Sequence, residues 1–281
     1  MLTLPLQDTF LFEGQPVRYG VQGQGEPMVL VHGTPFSSQV WRRLAPLLAQ
    51  RYRVHYFDLL GYGQSAMGEG QDVSLGVQNR LLAALLDHWG LTRPHVVAHD
   101  FGGATALRAL VLGGCRYATL TLIDPVALAP WGSPFVQHVR EHEQAFAKLP
   151  AYIHEAILPA YIAGAAHQPI RTEDMAIHTA PWTGEIGQAA FYRQIAQMDR
   201  RYTDEVEHRY QEIDCPVLLI WGENDQWIPV ERGEDFVSRV PHARFVRVPH
   251  AGHLVQEDAP EAILNALLGF LEGVWSSITK R

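Results

Sequence analysis

Short apolar runs rich in β-branched residues alternate with longer stretches whose apolar positions recur every three or four residues. The short runs lie at 27–31, 52–57, 95–98, 118–123, 216–221 and 244–248, and read as strands. The longer ones, at 40–50, 77–89, 103–112 and 260–274, read as helices. Several strand-like runs stop at a small or acidic residue: His32-Gly33, Asp58 and Asp124-Pro125. Strands that are apolar at nearly every position need cover on both faces. The alternation therefore predicts an α/β protein with a mostly parallel central sheet flanked by helices.

The pattern changes between residues 129 and 208. Helical runs at 135–148, 152–163 and 188–197 are broken by Pro, Gly and Trp, and no convincing strand occurs. The stretch reads as a helical lid inserted after the strand ending at Ile123. Residues 1–128 and 209–281 would then form the core, and 129–208 the cap. A site at the carboxyl ends of the strands would lie between sheet and lid.

With 281 residues, 47% of them hydrophobic, the chain can bury one large core with an insertion. Its formal charge is −8, and Lys and Arg are scattered, so neither nucleic acid nor an anionic membrane is an expected partner. Cys115 and Cys215 lack metal-ligand or redox spacing and read as reduced thiols of a cytoplasmic protein. No secretory leader pattern opens the chain, and no apolar run approaches the ~20 residues of a membrane span.

The chemistry concentrates at His95-Val96-Val97-Ala98-His99-Asp100-Phe101-Gly102-Gly103. An apolar strand, a sharp turn with two glycines and an Ala/Leu-rich helix make a nucleophile elbow, which lifts one side chain above the sheet edge. Here that side chain is Asp100. As an alternative, Asp can simply cap a helix. A carboxylate at the tip of an elbow attacks sp3 carbon and becomes an alkyl ester. It is ionised at neutral pH and needs no base for that attack.

Five segments, taken in order, make the chain resemble an α/β-hydrolase over nearly its whole length. They are His32-Gly33-Thr34-Pro35, Asp58 to Ser65, Ala98 to Gly103, Trp221-Gly222-Glu223-Asn224-Asp225 and Ala251-Gly252-His253. The aspartate at the elbow points to the branch that contains epoxide hydrolases and haloalkane dehalogenases. The resemblance implies Asp100 as nucleophile and His253 as the base that deprotonates water. Asp225 would hold His253, in preference to its rival Asp124. It also implies an oxyanion hole from the backbone N–H groups of Thr34 and Phe101, and a cis bond before Pro35. Ser65 follows no strand and is rejected as nucleophile. His250 reads as a surface or neighbouring residue, and Glu223 and Asp58 as loop-bracing.

Epoxide opening and carbon–halogen cleavage share this attack and differ in how the leaving group is stabilised. In epoxide hydrolases two lid tyrosines donate to the alkoxide, and the resemblance places them at Tyr192 and Tyr152. Tyr161, Tyr202 and Tyr210 are spare candidates. A halide needs N–H donors, which Trp131 or Trp182 could supply. Phe101, directly after the nucleophile, has no donor, which weakens both readings and dehalogenation more. Epoxide hydrolysis to a vicinal diol is therefore expected first, and haloalkane or haloacid dehalogenation second. A ligand-binding protein without catalysis is the alternative of another class. The expected substrate is small and largely apolar, with water as second substrate, no cofactor and no metal, acting as monomer or homodimer.

Overall fold

A computed structural model describes residues 2–278. Among these, eight strands form one sheet: β1 (Asp8–Phe12), β2 (Gln15–Gln22), β3 (Glu26–Val31), β4 (Tyr52–Phe57), β5 (His95–His99), β6 (Thr119–Ile123), β7 (Val217–Gly222) and β8 (Arg244–Val248). Their order is β1-β2-β4-β3-β5-β6-β7-β8. β1 and β2 are antiparallel to their neighbours, and the others run parallel.

The six strands expected from apolar runs are β3 to β8. Their lack of polar alternation follows from double burial. In β3, Val29 and Val31 face one core cluster, while Met28 and Leu30 face the other. In β7, Val217, Leu219 and Trp221 take the first side, and Leu218 and Ile220 the second. Each fully buried Val or Leu contributes about 1.5–3 kcal/mol of transfer free energy, so both faces drive strand formation. β1 and β2 escape the apolar-run criterion because they form the antiparallel edge. Leu11 there is 66% exposed. Their signal is the two-residue loop Glu13-Gly14, with both residues at positive φ, as a type I′ hairpin turn needs.

Helices α1 (Ala45–Leu48), α2 (Leu75–His88) and α3 (Phe101–Val111) belong to the first half, and α9 (Glu231–Arg239), α10 (Val255–Asp258) and α11 (Pro260–Ile278) to the second. The helix expected over 40–50 is instead a 3-10 turn, Ser38–Trp41, followed by one α-helical turn with Pro46 in its first positions. Pro46 has no N–H to continue a helix begun upstream. Five helices lie between β6 and β7: α4 (Pro134–Ala147), α5 (Ala151–Ala163), α6 (Thr172–Thr179), α7 (Gly184–Ala196) and α8 (Arg201–Asp204). α4 packs on α7, and α5 on α6 and α7. α6 and α9 were not foreseen; both are short and strongly polar.

Parallel register aligns the strand ends. Val31 pairs with Phe57 and Ala98, Ala98 with Leu122, and Leu122 with Leu219. His32, Asp58, Asp100 and Asp124 thereby emerge along one edge. No helix among the described residues is long and apolar enough to cross a membrane.

Candidate active site

The turn from β5 into α3 holds Asp100 at φ 51°, ψ −119°, a conformation that L-residues rarely adopt. The neighbouring glycines make room for it. A Cβ on Gly33 would lie 2.4 Å from the Asp100 side chain, and one on Gly102 would lie 2.3 Å from the Val31 carbonyl oxygen. The helix can thus start hard against β3 with Asp100 pointing away from it. Two backbone amides meet the carboxylate: Thr34 N–H donates to Oδ1 at 2.7 Å, and Phe101 N–H donates as well.

The Thr34 loop is braced from behind. Leu59 N–H donates to His32 Nε2 at 2.9 Å, so His32 Nδ1 carries the proton and donates to the Gly33 carbonyl at 2.9 Å. Burial lowers the His32 pKa and keeps the ring neutral. The Thr34–Pro35 bond is cis. Asp58 accepts from Ser38 N–H at 2.8 Å and Gln64 N–H at 2.7 Å, bracing two loops, and Ser65 donates its hydroxyl to the Asp58 carbonyl.

His253, fully buried, stands between two carboxylates. Its Nε2 is 3.2 Å from Asp100 Oδ2, and its Nδ1 is 2.8 Å from Asp225 Oδ2. The other Asp225 oxygen accepts from Trp227 N–H at 2.7 Å and Ile228 N–H at 2.9 Å. Asp124 does not bond His253; it accepts from Gly222 N–H at 2.9 Å. His250, at φ 56°, packs near His167.

Electrostatics separate the members. Burial opposes charge on His253, but Asp225 and Asp100 outweigh it and hold its pKa well above the ordinary value. Burial likewise opposes charge on Asp100, yet its hydrogen bond with His253 and the His253 charge leave its pKa lowered. Both shifts favour a carboxylate–imidazolium pair at rest. His99 donates from Nε2 to the His253 carbonyl at 2.9 Å; burial first, then the His253 charge, push its pKa down to about 3, so it stays neutral.

A narrow cavity opens in front of Asp100 and Thr34. Phe101, Val126, Trp131, Val136, Met198 and Ile228 make its walls apolar, with Tyr161 and Trp227 beside them. Among the described residues no Lys or Arg lines it.

A sequence profile of the alpha/beta hydrolase fold family matches residues 26–260. The chain belongs to that family. Within the α/β-hydrolases it is similar to the crystal structure of an alpha/beta hydrolase fold protein from Burkholderia ambifaria. The two share 57% identity and a TM-score of 0.93, over 95% of this chain and 98% of that one. Haloalkane dehalogenase 2 of Mycobacterium tuberculosis is 27% identical over 275 residues, covering 90% of each chain. A dihydrolipoyllysine-residue acetyltransferase component of an acetoin cleaving system from Pseudomonas putida is 29% identical over 88% of this chain. The α/β-hydrolase described here spans only 64% of that protein's length.

The α/β-hydrolase core brings Asp100, His253, Asp225, Thr34 and Phe101 together, while the expected leaving-group residues mostly lie elsewhere. Tyr152 is 72% exposed on α5 and does not line the cavity. Tyr192 is buried behind the wall, its hydroxyl 2.9 Å from His154 Nδ1. Trp182 donates its indole N–H to the Pro35 carbonyl at 2.7 Å. Trp131 does line the cavity, edge-on to Phe101, but its N–H is bonded to Thr203 Oγ1 at 3.0 Å. Each of these three donors is already engaged within the protein.

The donors without a protein partner are others. Among the described residues, neither the Tyr161 hydroxyl nor the Trp227 indole N–H has a hydrogen-bond partner, and the two rings stack at 4.8 Å. Burial, then the Asp100 charge, raises the Tyr161 pKa and keeps it a phenol. Tyr161 was only a spare candidate from sequence. Trp227 was unforeseen, although it lies two residues from Asp225 in the turn whose amides that aspartate binds. Tyr62, inside the Gly61–Ser65 turn, was also passed over. It donates to Gln194 Oε1 at 3.1 Å, where the Thr34 hydroxyl also donates, and so ties the Thr34 loop to α7.

Proposed function

We propose that this α/β-hydrolase cleaves an uncharged, largely apolar electrophile through an alkyl ester of Asp100, and that the electrophile is an epoxide. The carboxylate at the elbow tip, facing His253 and the cavity, carries the ester mechanism. The Tyr161 hydroxyl on the same cavity favours the epoxide. The absence of a cation among the described lining residues disfavours haloacids.

Asp100 attacks a ring carbon, the carbon–oxygen bond breaks, and the alkoxide takes the Tyr161 proton. Ester formation removes the charge on Asp100 that held the His253 proton. That proton then returns through solvent to the Tyr161 phenolate, leaving Nε2 free to act as base. His253 deprotonates water, which attacks Cγ of Asp100. The N–H groups of Thr34 and Phe101, already aimed at this carboxyl, stabilise the tetrahedral oxyanion. Collapse releases the diol and restores Asp100 and protonated His253. In total, epoxide and water give diol. The helices of 129–208, which wall the cavity opposite the sheet, act in this reading as the lid.

A second reading is haloalkane cleavage, with the Trp227 N–H receiving the halide. The unpartnered indole and the 27% identical dehalogenase support it. The test is turnover of styrene oxide and 1,2-epoxyhexane, read as diol, beside 1-bromobutane and 1-chlorobutane, read as halide. Diol without halide is expected, with Tyr161→Phe losing about 10²-fold on epoxides. Halide without diol makes the second reading right. Silence in both panels, with no mass adduct on His253→Gln, overturns the ester mechanism.

A further inference from the structure

Two carboxyl groups, not one, stand behind His253. One oxygen each from Asp124 and Asp225 and a nitrogen of His253 lie within 4.8 Å of one another, all buried. The two aspartates are provided for very unequally. Asp225 accepts from three donors: Trp227 N–H, Ile228 N–H and His253 Nδ1–H. Asp124 accepts from one, Gly222 N–H, on Oδ1, and its buried Oδ2 meets no donor among the described residues.

Two carboxylates so close in a dry site do not both ionise; one keeps a proton. Hydrogen-bond donors stabilise the charged form, so the charge goes to the better-supplied group. We propose that Asp124 is a carboxylic acid in the resting protein and donates from Oδ2 to the Asp225 carboxylate, so that the pair bears one negative charge toward His253. The groups that face Asp124 bear this out in direction. Burial first, then the Asp225 charge, hold its pKa well above the carboxylate range, against the pull of His253 and the Gly222 N–H.

Asp124 is thus a positioning residue. It steadies Asp225 and limits the charge beside His253, which a second anion would make too reluctant to lose its proton. The inference does not depend on which bond the enzyme breaks.

The test uses the wild type with 13C-labelled aspartate side chains, observed by NMR at pH 7. One aspartate carboxyl is expected at the chemical shift of the protonated acid. Asp124→Asn assigns it, because Asn tolerates the φ of 41° there and its amide can both donate to Asp225 and accept from Gly222. A second readout is stability against pH. A raised native pKa gives stability that is complete below the unfolded pKa and lost as pH rises toward the native one. The folding equilibrium constant of wild type relative to Asp124→Asn should therefore fall by about tenfold per pH unit upward from about pH 4. No protonated aspartate in the wild type at pH 7 overturns the proposal, whether or not the variant folds. So does a flat stability difference.

Discussion

Two buried charge clusters flank α10, and they are built on opposite principles. On one side Arg42, 1% exposed, reaches Asp174 at 2.7 Å and Glu257 at 2.9 Å. Arg43 reaches Asp174 at 2.7 Å, and His178 reaches Glu257 at 2.8 Å. Every carboxylate oxygen in that cluster faces a cation. On the other side, Asp124 Oδ2 and His99 Nδ1 are buried with no hydrogen bond among the described residues, and His253 Nε2 meets only Asp100 Oδ2, at 3.2 Å. The first cluster ties α6, from the inserted helices, to the chain just after His253, and among its described atoms only His178 Nδ1 is buried without a hydrogen bond. The second has slack, and the proposed cycle would use it, because that cycle changes the charges there. Carboxylates paired at every oxygen give position; a carboxyl oxygen left unpaired leaves room for a proton.

The sharpest way to break this contrast is at Asp100. Asp100→Ala should lower turnover of any substrate found in the panels by about 10⁴-fold or more. Its thermal unfolding midpoint should stay close to wild type, because the strained backbone is the same in both, and loss of the bonds to Thr34, Phe101 and His253 is offset by relief of a buried charge. Residual activity above a trace in a folded variant would sink the nucleophile assignment. The complementary change is Arg42→Met. It removes the buried guanidinium that joins the two carboxylates, leaving Asp174 to Arg43 and Arg171 and Glu257 to Arg43 and His178, and should cost about 3 kcal/mol of stability, measured by denaturant unfolding. A loss below about 1 kcal/mol would mean that Arg43, His178 and water compensate, and that the cluster is no rigid tie.

What the sequence disclosed divides along the same line. Asp100, His253, Asp225 and the Thr34 and Phe101 amides are set by local chain geometry: a strand end, a tight turn, a glycine where a Cβ would clash. Such features are contiguous in sequence and could be read there. The fixed cluster joins residues 42, 43, 174, 178 and 257, and no local pattern links them. The cavity donors were misjudged for a related reason. Helical spacing places Tyr152, Tyr161 and Tyr192 on lid helices, but which tyrosine faces the cavity depends on how α5 and α7 pack. Even the edge strands β1 and β2 were missed because half-exposed strands carry no apolar run.

Tyr192 offers the finest test of that packing argument. His154 Nε2–H donates to the Trp182 carbonyl at 2.8 Å, so Nδ1 has no proton and must accept the one from Tyr192. Burial lowers the His154 pKa, which fits a neutral ring, and pushes Tyr192 up to about 12. The Tyr192 proton is therefore committed to a structural bond behind the cavity wall. Tyr192→Phe leaves the buried His154 nitrogen unpaired and should cost about 1–2 kcal/mol of stability. Epoxide and halide turnover should change together, if at all, because no reacting oxygen touches this hydroxyl. Tyr161→Phe should do the reverse, sparing stability and lowering epoxide turnover alone. Were Tyr192→Phe the variant that selectively lost epoxide turnover, the leaving-group donor would be Tyr192, and α7 would have to rotate toward Asp100 when substrate binds.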